Sequence, residues 1–100
     1  MTLWKCRLVV VDSKGTVARF AASSGWTRSL GVCHLDWLEL SPGRHVCQFE
    51  TDRAPVTQMQ RISRRWPSLT FLLDYEDETH RIKGLAKAKS GEVEHCEIGY

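Results

Sequence analysis

Residues 55–75, PVTQMQRISRRWPSLTFLLDY, carry two hydrophobic periods back to back, with a proline where each begins. Val56, Met59, Ile62 and Trp66 recur at spacings of three, three and four. That spacing predicts a helix with one apolar face and leaves Gln58, Gln60, Arg61, Arg64 and Arg65 on the others. Pro55 suits the first turn, where a missing N–H costs nothing, and Pro67 stops the helix because its nitrogen cannot continue the ladder. Beyond it, Leu69, Phe71, Leu73 and Tyr75 alternate with Thr70, Leu72 and Asp74, the period of a strand with one strongly apolar face. A short amphipathic helix feeding directly into a buried strand has to pack against the sheet which that strand enters.

The remaining segments supply that sheet. Trp4–Val11 (WKCRLVVV) is apolar and rich in β-branched residues, as a central strand is. After the turn chemistry of Asp12-Ser13-Lys14-Gly15, residues Val17, Phe20 and Ala21 predict a short helix that Gly25 ends. Residues 25–31 have no period and carry Trp26 beside Arg28, the most loop-like part of the chain. His34–Leu40 and Arg44–Glu50 flank Ser41-Pro42-Gly43 and predict a hairpin. With Pro42-Gly43 as its loop, Leu40 faces His45, Leu38 faces Cys47 and Asp36 faces Phe49, which puts Trp37 on the opposite face. The polar run Glu76-Asp77-Glu78-Thr79 is a turn, and two further strands, His80–Lys89 and Glu92–Tyr100, join through Ser90-Gly91. That loop pairs Lys89 with Glu92, Lys87 with Glu94, Leu85 with Cys96 and Lys83 with Ile98. The reverse face holds Ile82, Gly84, Ala86 and Ala88, small enough to lie under a helix, against Gly99, Glu97, His95 and Val93. Glu97 is the misfit there and needs an edge position or a partner.

This order predicts a single α+β domain over residues 1–100: a ferredoxin-like βαββαβ plait with an additional C-terminal β-hairpin, two helices on one face of an antiparallel sheet. One hundred residues, 42% of them apolar, suffice for one two-layer core. The opening residues show no signal-like apolar run, and no segment approaches the ~20 apolar residues of a membrane span, so the expectation is a cytoplasmic chain. Cys6, Cys33, Cys47 and Cys96 lie far apart with no C-x-x-C, which reads as reduced thiols. A zinc site from Cys33, His34, His45 and Cys47 fails in the predicted register, where His34 lies about four residues along the strand from Cys47 at ~3.3 Å per residue.

Trp4 with Cys6-Arg7-Leu8-Val9-Val10, Phe49-Glu50-Thr51 before a proline-opened helix, Arg61-Ile62-Ser63-Arg64-Arg65-Trp66-Pro67, Leu69-Thr70-Phe71 and Asp74-Tyr75-Glu76 together resemble the YubB ferredoxin-like family. Trp66 stands where that family usually has Phe, and Cys6 where Asn is expected. The resemblance implies a small protein of unassigned activity, carried by plasmids, phages and other mobile elements in a bacterial host cell. It supplies no catalytic motif.

The residues themselves show no phosphate loop, dinucleotide fingerprint, zincin motif or nucleophile elbow, so no enzyme, cofactor or metal is expected. Cys96 beside His95, and Cys47 near His45, are the Cys/His pairs on offer, but adjacent residues of a strand point to opposite faces. Binding has more material. Arg81, Lys83, Leu85, Lys87 and Lys89 form a period-two basic stripe, and Arg61, Arg64 and Arg65 a second patch on the helix back. Single-stranded RNA or DNA binding is one expectation from that stripe, against which stand Glu92 and Glu94 opposite Lys89 and Lys87 and the lack of a stacking aromatic series. Protein binding is the other. In the mobile-element setting it is most concretely inhibition of a host defence complex, protein or ribonucleoprotein, of the anti-CRISPR type. At a net charge of +2 the chain is no acidic mimic of DNA. Trp26, Trp37, Arg64, Arg65, Arg81 and Lys83 are the candidate partner-binding residues, because Trp and Arg dominate interface energetics. An edge strand near the C-terminus offers homodimer pairing as well.

Overall fold

The computed structural model describes residues 4–12, 20, 33–41, 44–51 and 55–100, with 33–41 described by their backbone. The elements in chain order are β1 (Trp4–Val11), β2 (Cys33–Ser41), β3 (Arg44–Thr51), α1 (Val56–Arg65), β4 (Thr70–Asp77), β5 (Ile82–Lys89) and β6 (Glu92–Gly99). All six strands join one antiparallel sheet in the order β2-β3-β1-β4-β5-β6. β1 and β4 sit at its centre, as their apolar runs require.

The core lies on one face. Cys6, Leu8 and Val10 of β1, Cys47 and Phe49 of β3, Phe71, Leu73 and Tyr75 of β4, and Ala86 and Ala88 of β5 are buried there with Met59 and Ile62 of α1. Each of those two helix side chains contributes about 1.5–3 kcal/mol by leaving water. Pro55 occupies the position before the helix, Met59 N–H donates to its carbonyl at 3.0 Å, and Trp66 N–H closes the last turn on Ile62 O at 3.1 Å. Arg64 and Arg65 in that last turn complement the negative end of the helix dipole. Ala86 and Ala88 keep β5 low enough for α1 to lie across it.

The two-helix ferredoxin-like plait is corrected by this arrangement. The described chain is a strand-dominated antiparallel sheet, six strands of eight or nine residues against one helix of ten. The period of two recurs along most of the chain, and among the described residues a full helical stripe occurs once. Of the segment expected to form the first helix, only Phe20 is described; it is fully buried, edge-on to Phe71 at 5.1 Å and to Trp66 at 5.4 Å between ring centres.

The β2–β3 register also differs from expectation. Ser41 does face Arg44, but an irregularity between Glu39 and Ser41 then shifts the ladder, so His45 faces Glu39, Val46 faces Leu38 and Cys47 faces Trp37. One extra residue on a strand moves everything beyond it by one register position. Trp37, not Leu38, therefore sits opposite Cys47. The β5–β6 hairpin keeps its expected pairs, from Lys89↔Glu92 to Ile82↔Gly99. Ser90 (φ 51°) and Gly91 (φ 84°) are both left-handed, the two-residue turn whose twist matches antiparallel strands. α1 holds this turn: Ser63 Oγ accepts from Gly91 N–H at 2.9 Å, Gln60 Nε2 donates to Gly91 O at 2.9 Å, and Ser90 Oγ donates to Pro67 O at 3.1 Å.

Candidate functional site

Because α1 and the core occupy one face, the other face of the sheet is covered by no described element. Its residues fall in rows that cross the strands. Val46, Val9, Leu72 and Lys87 form one row, ending on Glu94; Gln48, Arg7, Asp74, Leu85 and Cys96 form the next; Glu50, Lys5, Glu76, Lys83 and Ile98 form a third. Leu72, Leu85 and Ile98 are 40%, 64% and 57% exposed. An open depression of about 780 Å3 runs across Val9, Val46, Leu72, Leu85, Lys87 and Cys96. Aliphatic side chains thus form its floor and charged ones its rim.

The charges around that floor neutralise one another. Arg7 donates from Nε and a terminal nitrogen to Asp74 Oδ2 at 3.1 and 2.9 Å. Lys5 meets Glu78 at 3.0 Å and Lys83 meets Glu76 at 3.5 Å. Tyr100 Oη donates to Glu76 Oε2 at 2.6 Å, while the cations of Arg81 and Lys83 lie 5.5 and 5.3 Å from the centre of its ring. The hydrogen bond from Tyr100, with Lys83 and Lys5 nearby, holds Glu76 below the usual carboxylate range, and the same bond raises the Tyr100 phenol. The hydrogen bond to Glu78 raises Lys5. Solvent screens pairs this exposed, so they set the sign pattern of the surface more than its stability.

A second polar cluster lies on the core side, at the sheet edge. Tyr75 faces Gly84 across the β4–β5 ladder, so its ring passes over β5 and its hydroxyl reaches β6. There Tyr75 Oη donates to Glu97 Oε1 at 2.6 Å and lies 2.5 Å from His95 Nε2. With the phenol proton directed at Glu97, His95 Nε2 is left to donate to Tyr75. Burial, then the bond to Glu97, pushes the phenol above its ordinary value of 10.0. A phenol held neutral in this way is a brace, and Glu97 finds in it the partner that its place on this face demanded.

The candidate residues from the sequence scatter. Arg81 and Lys83 come together at Tyr100 beside the open face, whereas Arg64 and Arg65 are exposed on α1, across the sheet from it. Trp37 is placed by backbone register opposite Cys47, and Trp26 lies outside the described residues. Sequence reasoning missed Val9, Leu72 and Tyr100. The signal for Leu72 was available, since it alternates out of phase with the buried Leu69, Phe71, Leu73 and Tyr75. Among the described residues no three metal-ligating side chains gather, and no helix is long and apolar enough to cross a membrane. Cys6 and Cys47 are buried, and that burial pushes their thiols up to about 11 and about 12. Cys96 is exposed on the open face, opposite in direction to His95. The chain matches no family model, no curated protein and no solved structure.

Proposed function

We propose that this chain is a non-enzymatic protein-binding module whose contact surface is the open face of its sheet. One observation carries the proposal: Leu72, Leu85 and Ile98 are well exposed on a face that no described element covers. Neighbouring aliphatic residues ringed by paired charges are the usual make-up of an interface centre and its rim. The resemblance to the YubB family supplies the setting, a mobile-element protein acting in the cytoplasm of a bacterial host cell on a host defence complex, as an anti-CRISPR-type inhibitor does.

Single-stranded nucleic acid is the weaker alternative. Lys87 and Lys89 face Glu94 and Glu92, Lys83 is shared with Glu76, and Tyr100 is the single aromatic ring on that face among the described residues. Strand-binding sheets need bases stacked on several aromatics and cations free to neutralise phosphate.

The test is affinity capture from a bacterial lysate that carries a defence complex, with wild type, Leu72→Glu/Leu85→Glu and Arg64→Glu/Arg65→Glu compared. Loss of the captured complex in the first variant alone is the expected result. Loss only in the arginine variant moves the surface to α1. A titration with single-stranded RNA at two salt concentrations settles the alternative, since three or more phosphate contacts give a steep salt slope.

A further inference from the structure

We infer that β6 is a self-pairing edge, joining two copies of this chain antiparallel about a two-fold axis that passes beside Cys96. β6 is the last strand of the sheet, eight residues long, with every residue but Val93 exposed. Its backbone polarity follows from the hairpin. In a two-residue turn the flanking pair, Lys89 and Glu92, exchanges hydrogen bonds, and bonded pairs then alternate. Tyr100 N–H donates to Arg81 O at 2.8 Å, in phase with that alternation. The even-numbered residues of β6 therefore bond inward to β5, and Val93, His95, Glu97 and Gly99 point their N–H and C=O groups outward.

A second β6 can satisfy these groups only in registers that set odd residues against odd ones. Centring the axis on Glu94 or on Glu97 places a carboxylate directly against its own copy, which is destabilising. Centring it on His95 sets imidazole against imidazole. Centring it on Cys96 sets His95 against Glu97 and Glu97 against His95, and Val93 against Gly99, so an imidazole meets a carboxylate twice and all four outward residues find partners. His95 and Glu97 are already ordered for this by Tyr75, which holds both. In that register the two Cys96 residues form a non-bonded pair with Cα atoms ~4.5 Å apart, inside the ~4.4–6.8 Å that a disulfide spans. The side chain of Cys96 is exposed and free to report it. The pairing does not depend on the open-face reading, because it uses backbone groups at the edge and no external partner.

The experiment is sedimentation equilibrium together with diamide oxidation, in which two thiols lose two protons and two electrons to the reagent. A Cys33→Ser background leaves Cys96 as the one exposed thiol among the described residues. The expected results are twice the chain mass at high micromolar concentration and a covalent dimer through Cys96. In a Cys96→Ser background, Glu94→Cys should not cross-link, since its two copies would lie about 13 Å apart along the strands at ~3.3 Å per residue. Cys96→Lys, which sets two ammonium groups on the axis, should shift the mass to monomer and leave the circular dichroism unchanged. A monomeric wild type overturns the inference. So does a dimer in which Cys96 fails to cross-link, cross-linking at Glu94→Cys as fast as at Cys96, or a Cys96→Lys variant that stays dimeric.

Discussion

Tyr75 and Gly84 face each other across β4 and β5, and the ring of Tyr75 occupies the space where any Cβ at position 84 would stand. A glycine inside a strand costs conformational entropy and packs nothing, so its place here is explained by what crosses it. Gly84→Ala should therefore destabilise the fold by about 1–3 kcal/mol, the usual cost of overpacking, despite the better strand propensity of alanine. Urea denaturation measures this. Gly84→Ala/Tyr75→Ala should lose less than the sum of its single variants, because the overlap exists only while the ring is present.

The hydroxyl of Tyr75 is held neutral by burial and by its bond to Glu97, so its pKa in the folded chain lies above the unfolded value near 10.0. A raised acid means the folded state favours the protonated form. The stabilisation is fully present below pH 10.0 and is lost as pH rises beyond it toward the folded value. Tyr75→Phe should remove that alkaline loss. Denaturant midpoints between neutral pH and pH 11 should converge for the two proteins as pH rises, and a constant gap would refute the assignment.

Ser63 is fully buried, and its hydroxyl sits between two backbone groups, donating to Gln60 O at 2.8 Å and accepting from Gly91 N–H at 2.9 Å. Removing it leaves a buried N–H without an acceptor, which costs about 1–3 kcal/mol. Ser63→Ala should show that loss in denaturation, with the Gly91 amide exchanging faster with deuterium. Ser63→Thr restores the acceptor and should recover part of the protection.

Burial raises the thiols of Cys6 and Cys47 to about 11 and about 12, whereas Cys96 is exposed. The thiolate is the reactive form, so at pH 8 a thiol reagent should modify Cys96 rapidly in the native protein, and Cys6 and Cys47 only after unfolding. Mass spectrometry of Cys33→Ser after a short pulse of iodoacetamide checks this. Fast labelling of Cys47 would place it outside the core.

Much of the sheet could be read from the chain because its signals are local. Pro55 and Pro67 bracket α1, the alternation from Leu69 to Tyr75 places β4, and the Ser90-Gly91 turn fixes the β5–β6 register at every pair. Where the sequence failed, the determinant was non-local. The irregularity after Glu39 has no residue signature, and it moves Trp37 into the place expected for Leu38. Arg7 and Asp74 are 67 residues apart and become neighbours only because β1 and β4 are adjacent in the sheet. The same holds for Glu97, visible as a misfit although its partner lies two strands away. The candidate site followed charge and tryptophan, both signals of composition. The open face is instead defined by which side of the sheet α1 leaves bare.

Asp77 ends β4 as a buried carboxylate that caps the turn after it. Its Oδ1 accepts from Thr79 N–H at 3.0 Å and His80 N–H at 3.2 Å, and its Oδ2 lies 2.6 Å from His80 Nδ1. Burial works to raise its pKa, but the hydrogen bonds and charge of His80 outweigh that, so the folded value falls below 3.8. A depressed acid stabilises the fold above the unfolded pKa, and the contribution disappears as pH falls through the folded value. Asp77→Asn keeps an oxygen for the turn amides and loses the charge. From about pH 5 downward the stability gap between wild type and Asp77→Asn should close as the carboxylate takes up its proton. Thermal melts across that range measure the gap, and one that widens on acidification would show that the carboxylate is held against its preference.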